Sequence, residues 1–255
     1  MKFLDSLIKK WFSLGFGANS PSKTILGVDI SSSAIKLIEM EPSREGFNVI
    51  AYGVEPLPEG ATFDREIVDV AKIAQVLKSV YKKSGARSRN VAVAVSGSSV
   101  ISNYIDLPSS LTSKQMESRI QLEADAIIPF PLEDINLDFA VVGRNAVNKD
   151  EVRVQVVACQ RDYVDRRKEV VQLAGLKPLV VDVETFAFAR AYQTLINAEY
   201  QIPKKQQGLI EKDDVVAIVD IGATQFTFLV LSNQAIIYSV EQPFGGRQLT
   251  EDIQR

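Results

Sequence analysis

The sequence predicts an α/β fold built around a duplicated hairpin, and three observations carry that reading. First, two stretches read as copies of one another: Leu26-Gly27-Val28-Asp29-Ile30-Ser31-Ser32-Ser33-Ala34-Ile35-Lys36-Leu37 and Ala217-Ile218-Val219-Asp220-Ile221-Gly222-Ala223-Thr224-Gln225-Phe226-Thr227-Phe228. Each is an apolar strand ending in Asp, a tight turn of small residues, and a second apolar strand. Second, strand-like runs are interleaved with segments of helical periodicity, the pattern of an α/β domain. Third, 255 residues with 46% hydrophobic and 24% charged side chains can bury a large core in one or two domains.

In chain order, residues 1–16 place Phe3, Leu4, Leu7, Ile8, Trp11 and Leu14 on one helical face, with Lys2, Lys9 and Lys10 nearby. Such a helix suits an anionic membrane surface, and equally a docking face on its own domain or a partner. Gly15 to Ser22 reads as a linker. From Thr24 the pattern is strand, turn, strand through Met40, with a third strand over Phe47 to Val54. The spacing predicts a helix over Asp64 to Lys83, stopped by Ser84-Gly85. Asn90 to Ser96, an alternating Val/Ala run, is a buried strand.

Residues 98–178 read as a β-α-β-β-α unit inserted in a larger domain. It comprises a strand over Val100 to Leu107 and a helix over Thr112 to Ile128 ended by Pro129-Phe130-Pro131. Strands at 135–143 and 151–159 and a helix over Arg161 to Ala174 complete it. A short strand then runs from Leu179 to Val181, with a helix over Val183 to Ala198. Gln201 to Asp214 is a polar boundary loop. The second hairpin, a strand over Ile236 to Gln242, and a helix starting near Thr250 follow.

A hairpin of this kind presents successive backbone N–H groups at its tip, an anion-binding concavity. Ser31, Ser32, Ser33 and Thr224 add hydroxyl donors, and Gly222 and Ala223 permit close approach. Asp29 and Asp220 could hold Mg²⁺ through water, and Lys36 would offset phosphate charge. One such hairpin is also an ordinary Asx-type turn; the duplication is what favours phosphate. Glu184, at a strand-to-helix transition, suits either a first-turn acid behind an Asp182 cap or a carboxylate that polarises water.

Composition excludes several classes. A net charge of −3 argues against nucleic acid. The absence of histidine removes Ser-His triads, and a single cysteine, Cys159, excludes an internal disulfide framework and fits a reducing cytoplasm. No apolar run approaches the roughly 18 residues a membrane-spanning helix needs.

With both hairpins in this order, the sequence resembles the actin-like ATPase superfamily, whose fold is ribonuclease H-like. Gln121-Leu122-Glu123-Ala124-Asp125-Ala126-Ile127-Ile128-Pro129-Phe130-Pro131-Leu132-Glu133-Asp134 narrows the resemblance to the PilM family of type IV pilus assembly proteins, relatives of the division protein FtsA. Ala174-Gly175-Leu176-Lys177-Pro178, Asp182-Val183-Glu184-Thr185-Phe186-Ala187 and Phe244-Gly245-Gly246 support it. The resemblance implies subdomain 1A over 24–97 and 179–212, an inserted FtsA-type 1C subdomain over 98–178, and part of 2A over 213–255. It implies ATP and Mg²⁺ as ligands, with Asp29 and Asp220 facing metal and phosphate. Ser31, Ser32, Ser33 and Lys36 fall at the first phosphate contact; Gly222, Ala223 and Thr224 fall at the second. Glu184 falls at the position of a water-orienting acid.

The implied role is a cytoplasmic scaffold beneath the inner membrane that grips the N-terminal cytoplasmic tail of PilN and communicates with the assembly motor. An actin-like ATPase or phosphotransferase, or an FtsA-like division protein, are the alternatives on this fold. The sequence stops at Arg255, before the family's adenosine-binding segment. ATP binding weaker than millimolar, or none, is therefore expected, together with either poor solubility or a missing partner chain.

Overall fold

The computed structural model describes residues 24–43, 46–63, 66–145, 147–197, 215–232 and 235–255. The helix expected over 1–16, its linker and the polar loop over 201–214 lie outside these residues. The chain forms two compact units, a larger one of Thr24–Ser98 with Arg167–Arg255 and a smaller one containing Ser99–Arg166.

The larger unit holds a five-stranded sheet. Its strands are β1 (Leu26–Ile30), β2 (Ala34–Ser43), β3 (Gly46–Pro56), β6 (Asn90–Val95) and β10 (Lys177–Val183), in the order β10-β6-β1-β2-β3. β1, β2 and β3 pair antiparallel, whereas β6 pairs parallel with both β1 and β10. Alternation drives the arrangement: Val91, Val93 and Val95 of β6 are buried, as are Leu26 and Val28 of β1. Helix α1 (Val70–Ser84) adds Ile73, Ala74, Leu77 and Val80 to this core and ends at Gly85, whose φ of 72° is left-handed. At Gly53 a Cβ would lie 2.7 Å from Val80 Cγ2, so the bare backbone of β3 lets α1 approach.

Two buried polar groups pin this core. Glu39, 1% exposed, accepts from Arg87 N at 2.8 Å, Ser88 N at 3.2 Å and the Thr24 hydroxyl. Arg167, 3% exposed, donates from Nε to Ala94 O at 2.7 Å.

The same unit carries a three-stranded antiparallel sheet, β11 (Val215–Ile221), β12 (Phe226–Ser232) and β13 (Ala235–Gln242), with Leu229 and Leu231 buried.

In the smaller unit, β7 (Val100–Pro108), β8 (Ile135–Arg144) and β9 (Glu151–Gln160) form an antiparallel sheet with β9 at its centre. Helix α2 (Ser113–Ile127) packs on it through Met116, Ile120 and Ala124. A capping box starts α2: Gln115 N donates to Thr112 Oγ1 at 3.4 Å and Thr112 N to Gln115 Oε1 at 2.9 Å.

Two helix starts differ from expectation, those of α1 and of the final helix. The helix predicted from Asp64 starts at Val70, behind a short pair of strands, β4 (Thr62–Phe63) and β5 (Glu66–Ile67). Ile67 fits helical spacing but reaches the core from β5, and Asp69 fixes the first turn by accepting from Lys72 N at 2.9 Å. Helix α3 (Arg161–Leu173) straddles the two units: Val170 and Val171, with Ala174 and Leu176 beyond its end, belong to the larger core. The final helix, α5 (Gly246–Gln254), begins at Gly246, four residues before Thr250, while α4 (Glu184–Asn197) falls near its expected limits.

Candidate functional site

The two hairpins repeat in geometry as well as sequence. In the first, Asp29 lies opposite Lys36 across β1 and β2, and Ser31 N donates to Ala34 O at 3.1 Å to close the turn. In the second, Asp220 lies opposite Thr227 across β11 and β12, and Gly222 N donates to Gln225 O at 2.8 Å. The Asp, the turn donor and the turn acceptor occupy equivalent places in both copies. Ser31 adds a hydroxyl bond to Ala34 O at 2.9 Å, which Gly222 lacks.

Neighbouring segments hold both turns. Thr62 Oγ1 donates to Ser32 O at 3.1 Å and Leu57 N to Ser33 O at 2.8 Å. In the second hairpin, Gly222 O accepts from Gly246 N at 3.0 Å and Ala223 O from Arg247 N at 2.8 Å. The N-terminus of α5 therefore donates to the carbonyls of that turn. Gly245 permits this contact, because a Cβ there would lie 2.6 Å from the Ala223 backbone.

A cleft of about 660 Å³ opens between the hairpins. Asp29, Ser31, Ser32, Ser33 and Lys36 line it from the first copy, and Asp220, Gly222 and Ala223 from the second. Glu184, the first residue of α4, lines it as well. Thr224 joins the group through its hydroxyl, which donates to Ser32 Oγ at 2.8 Å. All ten residues singled out in the sequence are thus brought together.

Lys36 Nζ is 3.0 Å from Asp29 Oδ2, with both side chains substantially exposed. The bond to Asp29 raises the Lys36 pKa above its ordinary value; burial opposes it, and the charges of Asp29, Asp220 and Glu184 reinforce it. One ammonium thus faces three carboxylates, an arrangement that suits an anion accompanied by its own cation better than a bare anion. Among the described residues no group of three or more His, Cys, Asp or Glu could chelate a metal directly. Two acids on opposing turns fit a hydrated Mg²⁺, which keeps much of its water shell.

Sequence reading missed four residues that line the cleft: Asp182, Tyr52, Phe188 and Gln225. Asp182, at the end of β10, is not the cap of α4, which begins two residues later; it accepts from Val183 N at 2.8 Å and is ion-paired with Arg190 of α4. Burial lowers the Arg190 pKa from its ordinary value. Tyr52 of β3 and Phe188 of α4 add aromatic surface to the lining of the cleft. Gln225 closes the second turn and also reaches Glu241 on β13 at 2.6 Å.

A family model described as "Type IV pilus assembly protein PilM" matches residues 27–255. The solved "PilM-PilN type IV pilus biogenesis complex" contains a chain 30% identical to this one, with a TM-score of 0.73, over 92% of this chain and 66% of that one. The cytoplasmic domain of EpsL, an inner-membrane component of the type II secretion system of Vibrio cholerae, shares the fold at 15% identity. Its TM-score is 0.50, over 85% of this chain and 71% of that one. Cell division protein FtsA of Bacillus subtilis (strain 168) is 23% identical over 89% of this chain and 53% of its own length. FtsA of Pseudomonas aeruginosa is also 23% identical, over 91% and 57%. The chain spans about half the length of these curated relatives.

Proposed function

Since this chain belongs to the PilM family of type IV pilus assembly proteins and has an actin-like ATPase fold, we propose that it is a nucleotide-responsive scaffold of the pilus assembly machinery. The observation that carries this reading is the convergence of two equivalent Asp hairpins on one cleft, in a chain whose family match runs from Gly27 to Arg255. The scaffold works at the cytoplasmic face of the inner membrane. It binds the N-terminal cytoplasmic tail of PilN and links it to the assembly motor. The 30% identical chain solved in a PilM–PilN complex supports that partner. Among the described residues no helix is long and apolar enough to cross a membrane.

ATP with Mg²⁺ is the proposed effector. Asp29 and Asp220 would hold the metal through water; Ser31, Ser32, Ser33 and Lys36 would contact phosphate from one side, and Gly222, Ala223 and Thr224 from the other. When bound, the metal screens phosphate charge and orients the phosphate chain. Lys36 neutralises charge that the acids cannot, and Glu184 is placed to orient a water. Subdomains 1A over 24–97 and 179–212, 1C over 98–178 and partial 2A over 213–255 remain the proposed division. Occupancy of the cleft shifts the population of domain arrangements and hence partner affinity.

Titration of the full chain with a synthetic peptide of the PilN tail tests the scaffold role; saturable binding is expected, and a folded protein that ignores the peptide would overturn it. The same titration with Mg-ATP present tests the effector role. An affinity for the peptide that does not respond to nucleotide would remove it.

A further inference from the structure

We propose that Glu241 is the positioning residue of the second hairpin, tying its turn to the Ser96–Ser98 segment so that the two move together. The proposal rests on the nucleotide reading only for what that hairpin holds.

Glu241 is the next-to-last residue of β13 and lies opposite Thr227 of β12. Its Oε2 accepts three hydrogen bonds: from Gln225 Nε2 at 2.6 Å, Ser96 Oγ at 2.9 Å and Ser98 N at 3.0 Å. These donors come from places far apart in sequence. Gln225 sits in the hairpin turn, Ser96 directly follows β6, and Ser98 lies in the short 3₁₀ turn Gly97–Ser99. A single carboxylate oxygen thus joins the three-stranded sheet to the end of the central parallel strand. Bonds to an ionised acceptor are stronger than their neutral counterparts.

The surrounding residue types suit this role. A Cβ on Gly97 would lie 2.5 Å from Glu241 Oε1 and 2.8 Å from Thr185 Cγ2, so only glycine admits the carboxylate. Ser96, 1% exposed, also bonds the Ser98 hydroxyl at 2.9 Å, which makes the segment a small network. Gln225 is held at both ends: its carbonyl closes the turn onto Gly222 N, and its side chain reaches Glu241. Restricting the turn therefore restricts Gln225, and through Glu241 the Ser98 amide.

Hydrogen–deuterium exchange of the full chain tests the link, read on peptides reporting Ser98 and the 222–226 turn. Without nucleotide, E241Q is expected to speed exchange of both about tenfold, through loss of the charge-assisted bonds. Q225A removes only the hairpin end, yet it should also speed exchange at Ser98, which Gln225 does not touch. In the E241Q/Q225A double variant the Ser98 effect should be no larger than in E241Q. A Ser98 amide indifferent to Q225A, or effects that simply add, would overturn the proposal. The Arg87–Ser88 peptide, held by Glu39, should stay unchanged and reports global folding. Should E241Q unfold, the Q225A effect on Ser98 decides alone. With Mg-ATP, protection of the 222–226 turn should extend to Ser98 in the wild type and stop at the turn in Q225A. Protection that stops at the turn in the wild type counts against the link. No protection at all counts against the nucleotide reading, and the link is then decided by the exchange rates measured without nucleotide.

Discussion

The Thr224 hydroxyl donates to the Ser32 hydroxyl at 2.8 Å, so the turns of the two hairpins, 192 residues apart in sequence, touch through their side chains. Both hydroxyls belong to the residues proposed to meet phosphate. Thr224→Val keeps side-chain volume and removes the donor; Ser32→Ala removes its partner. In a thermal-shift titration carried to tens of millimolar Mg-ATP, each variant should lose at least half of the wild-type ligand-induced rise. The pair should lose little more than either alone, because the residues share one contact. Full retention of the rise in both would remove these hydroxyls from the site.

Glu39 makes a second prediction, independent of any ligand. Its buried carboxylate is the acceptor for Arg87 N and Ser88 N. Glu39→Ala leaves two backbone donors unsatisfied and opens a cavity, so urea denaturation should show a loss of about 2–4 kcal/mol. A loss under about 0.5 kcal/mol would mean that water replaces the carboxylate without cost.

Gly245→Ala tests the seat of α5 on the second hairpin. The backbone φ at this position, −164°, is extended and open to any residue, so the effect is steric alone. The new methyl group would meet Gly222 O and Ala223 O at 2.6 Å. Relief of this overlap requires α5 or the turn to move, at about 1–3 kcal/mol. Exchange protection of Gly246 and Arg247 should fall with it. A variant with unchanged melting temperature and protection would show that the turn gives way freely.

Two charged groups set opposite pH limits. The Lys72 amide, then its ammonium, holds the Asp69 pKa below the ordinary 3.8. A carboxylate with a lowered folded-state pKa contributes stability that is present above 3.8 and lost as pH falls through the folded value. The gap between wild type and Asp69→Ala should therefore be constant from about pH 5 to 8 and close in acid. Lys36 behaves the other way. Its pKa is raised above 10.5, so its contribution is complete below that value and is lost only as pH rises through the raised one. Lys36→Met should differ from wild type by the same amount throughout the neutral range. Urea midpoints across pH check both.

Much of this architecture was legible in the sequence. The repeated Asp hairpins carry a period-two pattern and a turn of small residues, and both are local signals. The helix expected over Thr112 to Ile128 and ended by Pro129 was legible in the same way. Where a residue satisfies two patterns at once, local reading failed: Ile67 fits the helical spacing of α1 yet belongs to a strand. The Asp182–Arg190 pair and the Glu241 junction were hidden for other reasons. The first depends on how α4 leaves β10; the second joins segments whose proximity depends on the finished sheet order, and nothing in a glutamate on a strand tells what it will face. The end of α3 is similar, because Val170 and Val171 look the same whichever unit buries them.

The bond from Arg167 to Ala94 O has a further consequence, for how this architecture can change. Ala94 is one residue from the end of β6, and the chain leaves for the smaller unit after Ser98. Arg167 is the first residue on its return. Departure and return are thus anchored at the same end of one strand, and no strand of the five-stranded sheet is interrupted between them. A different module with closely spaced ends could be exchanged there without rebuilding the sheet.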